Sequence, residues 1–334
     1  MMSSLHNKRL LLLLLAANLG LTSPTVWAQA CAVTNPSTQA DFGALTSFAI
    51  ANTPQQTSAQ PGTGLRCRGS VIGLIMTGDT LNASLTSGNQ GQLKNTTGDG
   101  INYQIYADQH FQEQLQLGTP YNYYNSYILD LLGLLGGSNA DIPMYFRIPA
   151  TATHNLGVGA YSDTLSIQWD WNICTGIGLL NLCLGRDQGT ATSQVNLHLE
   201  ILPDCAITAP DVNFGSAPLV VAFTSVTQTI SIRCTKGQDY SVGINDGLHA
   251  DGTQRRLHHN NHYLHYDIYQ GTGGNQRWGR QGPERRAASD ANVNPGNLDG
   301  LSTQGFHYRA EIDVNQATPP PGTYTDTLVI DVAF

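Results

Sequence analysis

Six cysteines carry the chemistry that residue type and spacing make most specific in this chain: Cys31, Cys67, Cys174, Cys183, Cys205 and Cys234. Thiols can hold a metal, attack a substrate or pair as disulfides. A metal centre needs ligands at short, clustered spacings, and none occur here. An even number of cysteines in an exported chain reads as disulfides, so three bonds and no metal are expected. Six histidines, His249, His258, His259, His262, His265 and His307, crowd a Gly- and Asn-rich stretch and read as exposed loop residues. A metal would need three or four of them to converge with supporting partners. Arg277, Arg280, Arg285 and Arg286 read as a small solvated basic loop. No Gly-x-Ser-x-Gly elbow, His-Glu-x-x-His or phosphate loop occurs, so no catalytic residue, cofactor or enzymatic activity is expected. The run Tyr121-Asn122-Tyr123-Tyr124-Asn125 offers rings that could stack on a sugar, and it fits a strand edge equally well.

Export is read from the start of the chain. Lys8 and Arg9 precede an apolar run from Leu10 to Ala17, extended by Leu19 and Leu21, and Ala28-Gln29-Ala30 offers small residues where a signal peptidase reads. Residues 1–30 are therefore assigned as a signal peptide cleaved before Cys31. Asn18 and Gly20 interrupt the run, which argues against a span of about 20 apolar residues. A formal net charge of −8 argues against nucleic acid or an anionic membrane as partner. Only 12% of residues are charged, and the abundant Gly, Asn, Gln, Ser and Thr suit sheets joined by many turns.

An internal repeat defines the organisation. Cys31-Ala32-Val33-Thr34 returns as Cys205-Ala206-Ile207-Thr208, and Asp41-Phe42-Gly43 as Asn213-Phe214-Gly215. Leu65-Arg66-Cys67 returns as Ile232-Arg233-Cys234, and Asn102–Tyr106 as His265–Tyr269. Gly159–Ile167 returns as Gly322–Ile330, at the same offset as the preceding match. The chain is a tandem duplication, 31–202 and 203–334, joined at Pro203-Asp204. The repeat selects the pairing Cys31–Cys67, Cys174–Cys183 and Cys205–Cys234. Leu165, Ile167, Trp169 and Trp171 alternate with polar residues, as do Leu328, Ile330, Val332 and Phe334 with Val329, Asp331 and Ala333. Period two marks strands with one buried face, and two copies of this size fit two Ig-like β-sandwiches.

These shared residues resemble the spore coat protein U domain family, through Cys205-Ala206-Ile207-Thr208, Phe214-Gly215, Ile232-Arg233-Cys234-Thr235, Tyr266-Asp267-Ile268-Tyr269, Trp278-Gly279 and Gly322–Thr327. The likeness covers the whole second copy, and in the first copy mainly the five matched segments. The resemblance implies pilins and tip adhesins of archaic chaperone–usher pili, or spore coat proteins. It further implies incomplete Ig-like subunits, each completed by a strand from its neighbour. The partners it implies are a periplasmic chaperone, an outer-membrane usher and a next pilin subunit donating a strand. The implied destination is the pilus tip at the cell surface, reached through the periplasm.

The chain's own residues test that implication. After Trp171 the first copy continues to Val195-Asn196-Leu197-His198-Leu199-Glu200-Ile201, a well-patterned final strand. The second copy reaches its counterpart of Trp171 at Phe334, the last residue given. It is therefore expected to lack its last strand and to accept one from another chain. With no extension expected before Cys31 to donate in turn, the subunit is expected at the tip.

Three apolar stretches mark the first copy alone: Val71, Ile72, Leu74, Ile75 and Met76; Leu131, Leu132, Leu134 and Leu135, within 128–137; and Ile177, Leu179, Leu180 and Leu182, between Cys174 and Cys183. The second copy has polar turns after Cys234 and after Tyr269. Large exposed apolar patches mark interaction surfaces. The three stretches are therefore expected to be exposed loops that hold an apolar surface and support biofilm formation. Packing of individual stretches into a core, a coat-protein lattice contact, and a lectin-like adhesin are the competing readings.

Peptide mapping under non-reducing conditions should recover the three bonds and no free thiol. Removing either long-range disulfide should cost about 2–5 kcal/mol. A Cys31–Cys205 bond would contradict the two-copy account.

Overall fold

The computed structural model describes residues 30–68, 78–125, 139–150, 155–179 and 182–334, and its regular elements are almost all strands. The first copy contains β1 (Cys31–Val33), β2 (Ser37–Thr46), β3 (Gln55–Ser58), β4 (Leu65–Arg68), β5 (Thr80–Ser87), β6 (Gln92–Lys94) and β7 (Gly100–Asn102). It continues with β8 (Gln104–Tyr106), β9 (Gln114–Leu115), β10 (Tyr121–Asn122), β11 (Asn139–Asp141), β12 (Tyr145–Ile148), β13 (Gly159–Leu179) and β14 (Leu182–Leu202). One short helix, α1 (Ser47–Asn52), is capped by Thr46, whose hydroxyl accepts the Ala49 N–H.

Alternation decides which face of each strand is buried. Leu81, Ala83 and Leu85 of β5, Leu165, Ile167 and Trp169 of β13, and Val195, Leu197, Leu199 and Ile201 of β14 all point into one core. The main sheet runs β10-β5-β13-β14-β2, and the opposing layer is formed by β3-β12-β8-β9 and β1-β4-β11. β14 pairs antiparallel with β13 along nearly its whole length and parallel with β2 through Gln194–Leu202. The strand recognised as final in the sequence is thus an interior strand, covered on both edges.

The second copy has its own core around Trp278 and Phe306. Its strands are β15 (Cys205–Thr208), β16 (Val226–Cys234), β17 (Ser241–Ile244), β18 (Arg255–His259), β19 (His262–Gln270), β20 (Arg286–Ala287), β21 (Gln304–Ile312) and β22 (Ile330–Ala333). They form sheets β15-β16-β21-β19-β18 and β20-β17-β22. The molecule is all-β, two Ig-like sandwiches in tandem. The disulfides are Cys31–Cys67, Cys174–Cys183 and Cys205–Cys234. The first and third staple directly opposed residues on β1–β4 and β15–β16.

The copies meet end to end. β14 passes through Pro203-Asp204 into β15, and the turn after Cys234 closes on the base of the first copy. Thr235 is fully buried there, 3.3 Å from the buried Ser47 hydroxyl, and it exchanges hydrogen bonds with Asp204. Lys236 Nζ lies 2.5 Å from Asp99 Oδ1, its backbone bridges Gly157, and Arg233 stacks over Phe48. The polarity of this turn therefore has a cause that the sequence did not reveal: it fills a hydrogen-bonded joint.

Expressed alone, residues 31–202 should be a soluble folded monomer, because their sheet is complete. Residues 203–334 should aggregate alone, since an uncovered edge and apolar face favour association. Sedimentation of the two fragments checks this, and a stable monomeric 203–334 would contradict it.

Candidate functional site: an apolar-loop end and an open strand groove

Val71, Ile72, Leu74, Ile75 and Met76, Leu131, Leu132, Leu134 and Leu135, and Leu180 lie outside the described residues. The backbone of the third stretch is described on either side of its tip. There β13 and β14 continue as a hairpin with Ile177 opposite Leu184 and Leu179 opposite Leu182, tied by Cys174–Cys183.

The structure brings together the flanks of all three stretches. Arg68, before the first, is opposite Asn139, after the second. Asp79, just after the first, accepts the Cys174 N–H at 3.1 Å and the Arg186 guanidinium at 2.8 Å, at the base of the third. Arg186 also donates to the Gly78 carbonyl at 2.9 Å and to Asn172 Oδ1 at 2.7 Å. Before the second stretch, Asn122 is opposite Asn82 and its side chain accepts the Leu81 N–H. Tyr123 is buried against Trp169. Burial first, and the nearby Asp79 carboxylate second, push the Tyr124 hydroxyl well above the ordinary tyrosine range. Thus Tyr121–Tyr124 are built into the same end, with Tyr123 wholly inside. Nothing in the sequence around Asp79 or Arg186 signalled that this ion pair joins two of the loops.

The second feature is a groove of about 920 Å³ in the second copy. Its rims are 209–216 and 322–328, and its floor includes Ile230, Ile244, Leu264, Ile268 and Ile312. The rims correspond to β2 and β13. Asp41 and Asn213 each accept, at 2.8 Å, the N–H of the glycine two residues on. Gly43 and Gly215 have φ of 79° and 75°, a region that favours glycine. In the first copy β14 lies between these two elements. In the second, no backbone hydrogen bond joins the two rims among the described residues. The side chains show the consequence. Tyr161, Leu165, Ile167 and Trp169 are fully buried, while their counterparts Tyr324, Leu328, Ile330 and Val332 are only partly buried. Four β14 side chains fill this space in the first copy, and burying four aliphatic side chains is worth roughly 6–12 kcal/mol.

One carboxylate holds the free rim in place. Asp326 accepts the Tyr266 hydroxyl at 2.7 Å and the N–H groups of Leu248 and His249. The first copy repeats the pair: Asp163 accepts the Tyr103 hydroxyl at 2.7 Å, the Ser87 hydroxyl and the Asn89 N–H. Burial, then the hydrogen bond to the carboxylate, holds both tyrosine hydroxyls protonated far above their usual range. The repeat placed these residues in register, but their contact was not read from it. Thr325 and His258 also exchange backbone hydrogen bonds, anchoring the rim to the edge of β18.

Two sequence expectations need correction. Arg280 is exposed as expected, but the other three arginines are not a solvated loop. Arg277 bonds Asp246, Asp267 and Glu284, Arg285 bonds Asp331, and Arg286 lies buried over Trp278 and Phe306. Arg255 is completely buried, bonding Asp267 and the carbonyls of Ile244, Asn245 and Trp278. Among the histidines, His258 packs between His249 and Tyr263, and His259 against Tyr324. His262 is exposed as expected, but His258, His259, His262, His265 and His307 all sit on strands rather than in a loop.

The Spore Coat Protein U domain model matches residues 16–168 and 190–331, and the chain belongs to that family. Among solved structures the chain resembles one chain of the CsuC–CsuE chaperone–tip adhesion subunit pre-assembly complex, from archaic chaperone–usher Csu pili of Acinetobacter baumannii. The identity is 25% and the TM-score 0.63, over 91% of this chain and 100% of that one. A chaperone–tip adhesin complex of CFA/I fimbriae matches at 10% identity and TM-score 0.28, over 80% of this chain and 78% of that one, too distant to carry an argument. No curated protein matches the chain.

Tyr266→Phe should destabilise the protein by about 1–3 kcal/mol, because it removes a hydrogen-bond donor from a carboxylate held in the fold. Tyr103→Phe should do the same in the first copy. Urea unfolding of the full chain checks both, and unchanged midpoints would contradict the clamp.

Proposed function

We propose that this chain is the tip adhesin of a chaperone–usher pilus, with residues 31–202 as the adhesive domain and 203–334 as a pilin-like domain completed by a donor strand. The observation that carries the reading is the groove between 209–216 and 322–328, at the place β14 occupies in the first copy. An edge strand with free N–H and C=O groups beside an apolar face is a template for strand addition. A periplasmic chaperone would fill it first. The next pilin subunit would replace that strand at the outer-membrane usher. The pilus would then carry the chain from the periplasm to the cell surface.

The opposite end would make contact with a surface. The gathering of all three loop flanks at one end supports a single contact patch built from Val71–Met76, Leu131–Leu135 and Ile177–Leu182. The repeat gives the direction. In the second copy the turn after its second cysteine faces the joint. By the same correspondence, the end of β4 at Cys67 and Arg68, from which the first stretch departs, is the end of the first copy remote from the second. If about ten aliphatic side chains there were half-buried against an apolar surface, the gross gain would be on the order of 10 kcal/mol, reduced by ordering costs. That suffices for attachment to an abiotic surface and for the start of a biofilm.

Polar replacements of Leu74 and Ile75, Leu134 and Leu135, and Leu179 and Leu180 should leave secretion and thermal stability near wild type, since such positions usually shift stability by under about 0.5 kcal/mol. Adhesion to plastic should fall, most in the triple-loop variant. A well-folded triple variant that adheres normally would contradict the contact patch and direct attention to Tyr121–Tyr127. Loss of stability by several kcal/mol would instead identify the stretches as core.

A further inference from the structure

The joint between the two copies offers a template for the contact that a strand donor would make with the second copy. β14 fills the sheet of the first copy, leaves at its base, and runs through Pro203-Asp204 into the body of the second. A donor strand lying in the groove of the second copy, antiparallel to 322–333 as β14 is to β13, would leave at the corresponding base. It would bring its own body there.

The repeat identifies that base. On the first copy the joint is made by α1, through Ser47 and Phe48, by Asp99 in the turn between β6 and β7, and by Gly157. On the second copy the place of α1 is taken by the 3₁₀ turn Val220–Ala222, which likewise follows the matched Asn-Phe-Gly segment. Asp99 corresponds to His262, the first residue of β19 after the β18–β19 turn, and Gly157 to Pro320, at the offsets fixed by Tyr103/Tyr266 and Gly159/Gly322. Ser47 is buried by the joint, whereas Leu219 and Val221 at the 3₁₀ turn are 55% and 70% exposed. Val314 and Tyr263 are also exposed. Val314 follows Asp313, which bonds the His265 carbonyl, and Tyr263 lies next to His262. Isolated exposed apolar residues need no explanation, but these sit where the fold has already built one domain contact.

We infer that Leu219, Val221 and their neighbours form a docking surface for the body of the subunit whose strand fills the groove, a second spore coat protein U domain seated by its turn after the second cysteine. His262 stands where Asp99 binds Lys236, so the partner turn is expected to present apolar rather than lysine-centred chemistry. This rests on the strand-acceptor reading above. Docking adds area outside the groove and fixes the angle between tip and shaft, as the Ser47–Thr235 and Asp99–Lys236 contacts fix the angle between the two copies.

The test uses the full chain in its assembled fibre. Val221→Cys and Leu219→Cys should react with a maleimide at least ten times more slowly in the fibre than in the free chain. Leu301→Cys, exposed on the loop beside the opposite joint, should react equally in both. Benzoylphenylalanine in place of Val221 should photo-crosslink to one pilin subunit, near that subunit's second cysteine. Benzoylphenylalanine in place of Phe214, on the groove rim, should crosslink to the donor strand. A crosslink from the groove, with no maleimide protection of the Leu219→Cys and Val221→Cys variants and no crosslink from position 221, would overturn the docking surface and leave the strand reading standing. No crosslink from either position would overturn both. A crosslink from position 221 to a second copy of this chain would overturn the assigned partner.

Discussion

The structure depends on one constraint: a β-sandwich strand must have its backbone paired and its apolar face covered. β14 meets both demands for the first copy. It is bonded to β13 on one side and β2 on the other, with Val195, Leu197, Leu199 and Ile201 buried beneath it. The second copy has the same two flanking elements, the same Asx-glycine turn and the same Tyr–Asp clamp, yet a groove stands between them. Unpaired backbone groups and uncovered aliphatic faces each cost free energy. The difference between the copies is therefore whether the strand between these two elements is present in the copy itself.

The rest of the molecule follows from that asymmetry. The complete copy can carry a long hairpin that runs past its sheet; its base binds the end of the first apolar stretch through Asp79 and Arg186, and the β4–β11 pair joins the flanks of the first and second. The incomplete copy instead keeps its open rim in position, with Asp326 on Tyr266 and Thr325 on His258. Its buried Arg255 and the Arg277 cluster fasten the turns around that core. A joint of buried hydroxyls and one close ion pair connects the copies. The end where the flanks of the apolar stretches meet, the joint and the groove thus lie in series along one chain.

Much of this was legible in the sequence, for definite reasons. Period-two alternation along 159–171 and 193–202 exposes strand and face directly. The repeat supplied what single patterns could not, namely the cysteine pairing and the correspondence of 322–330 with 159–167. Contacts made across the fold were not legible. Asp79 with Arg186, Tyr266 with Asp326, and Arg255 with three carbonyls join residues whose spacing carries no period. For the same reason the inward-bonded arginines read as a solvated loop, and the buried Thr235 read as part of an ordinary polar turn.

The central claim is that the second copy lacks what β14 provides, and the chain contains its own probe. A synthetic peptide with the sequence Ser193–Leu202, titrated calorimetrically into the purified full chain, should bind one to one. It should also protect the amides of 209–216 and 322–330 from hydrogen exchange. A control peptide in which Val195, Leu197, Leu199 and Ile201 exchange places with their polar neighbours should not bind, because a shift of one residue turns every apolar side chain outward. No binding by the native peptide, or equal binding by both, would contradict the account.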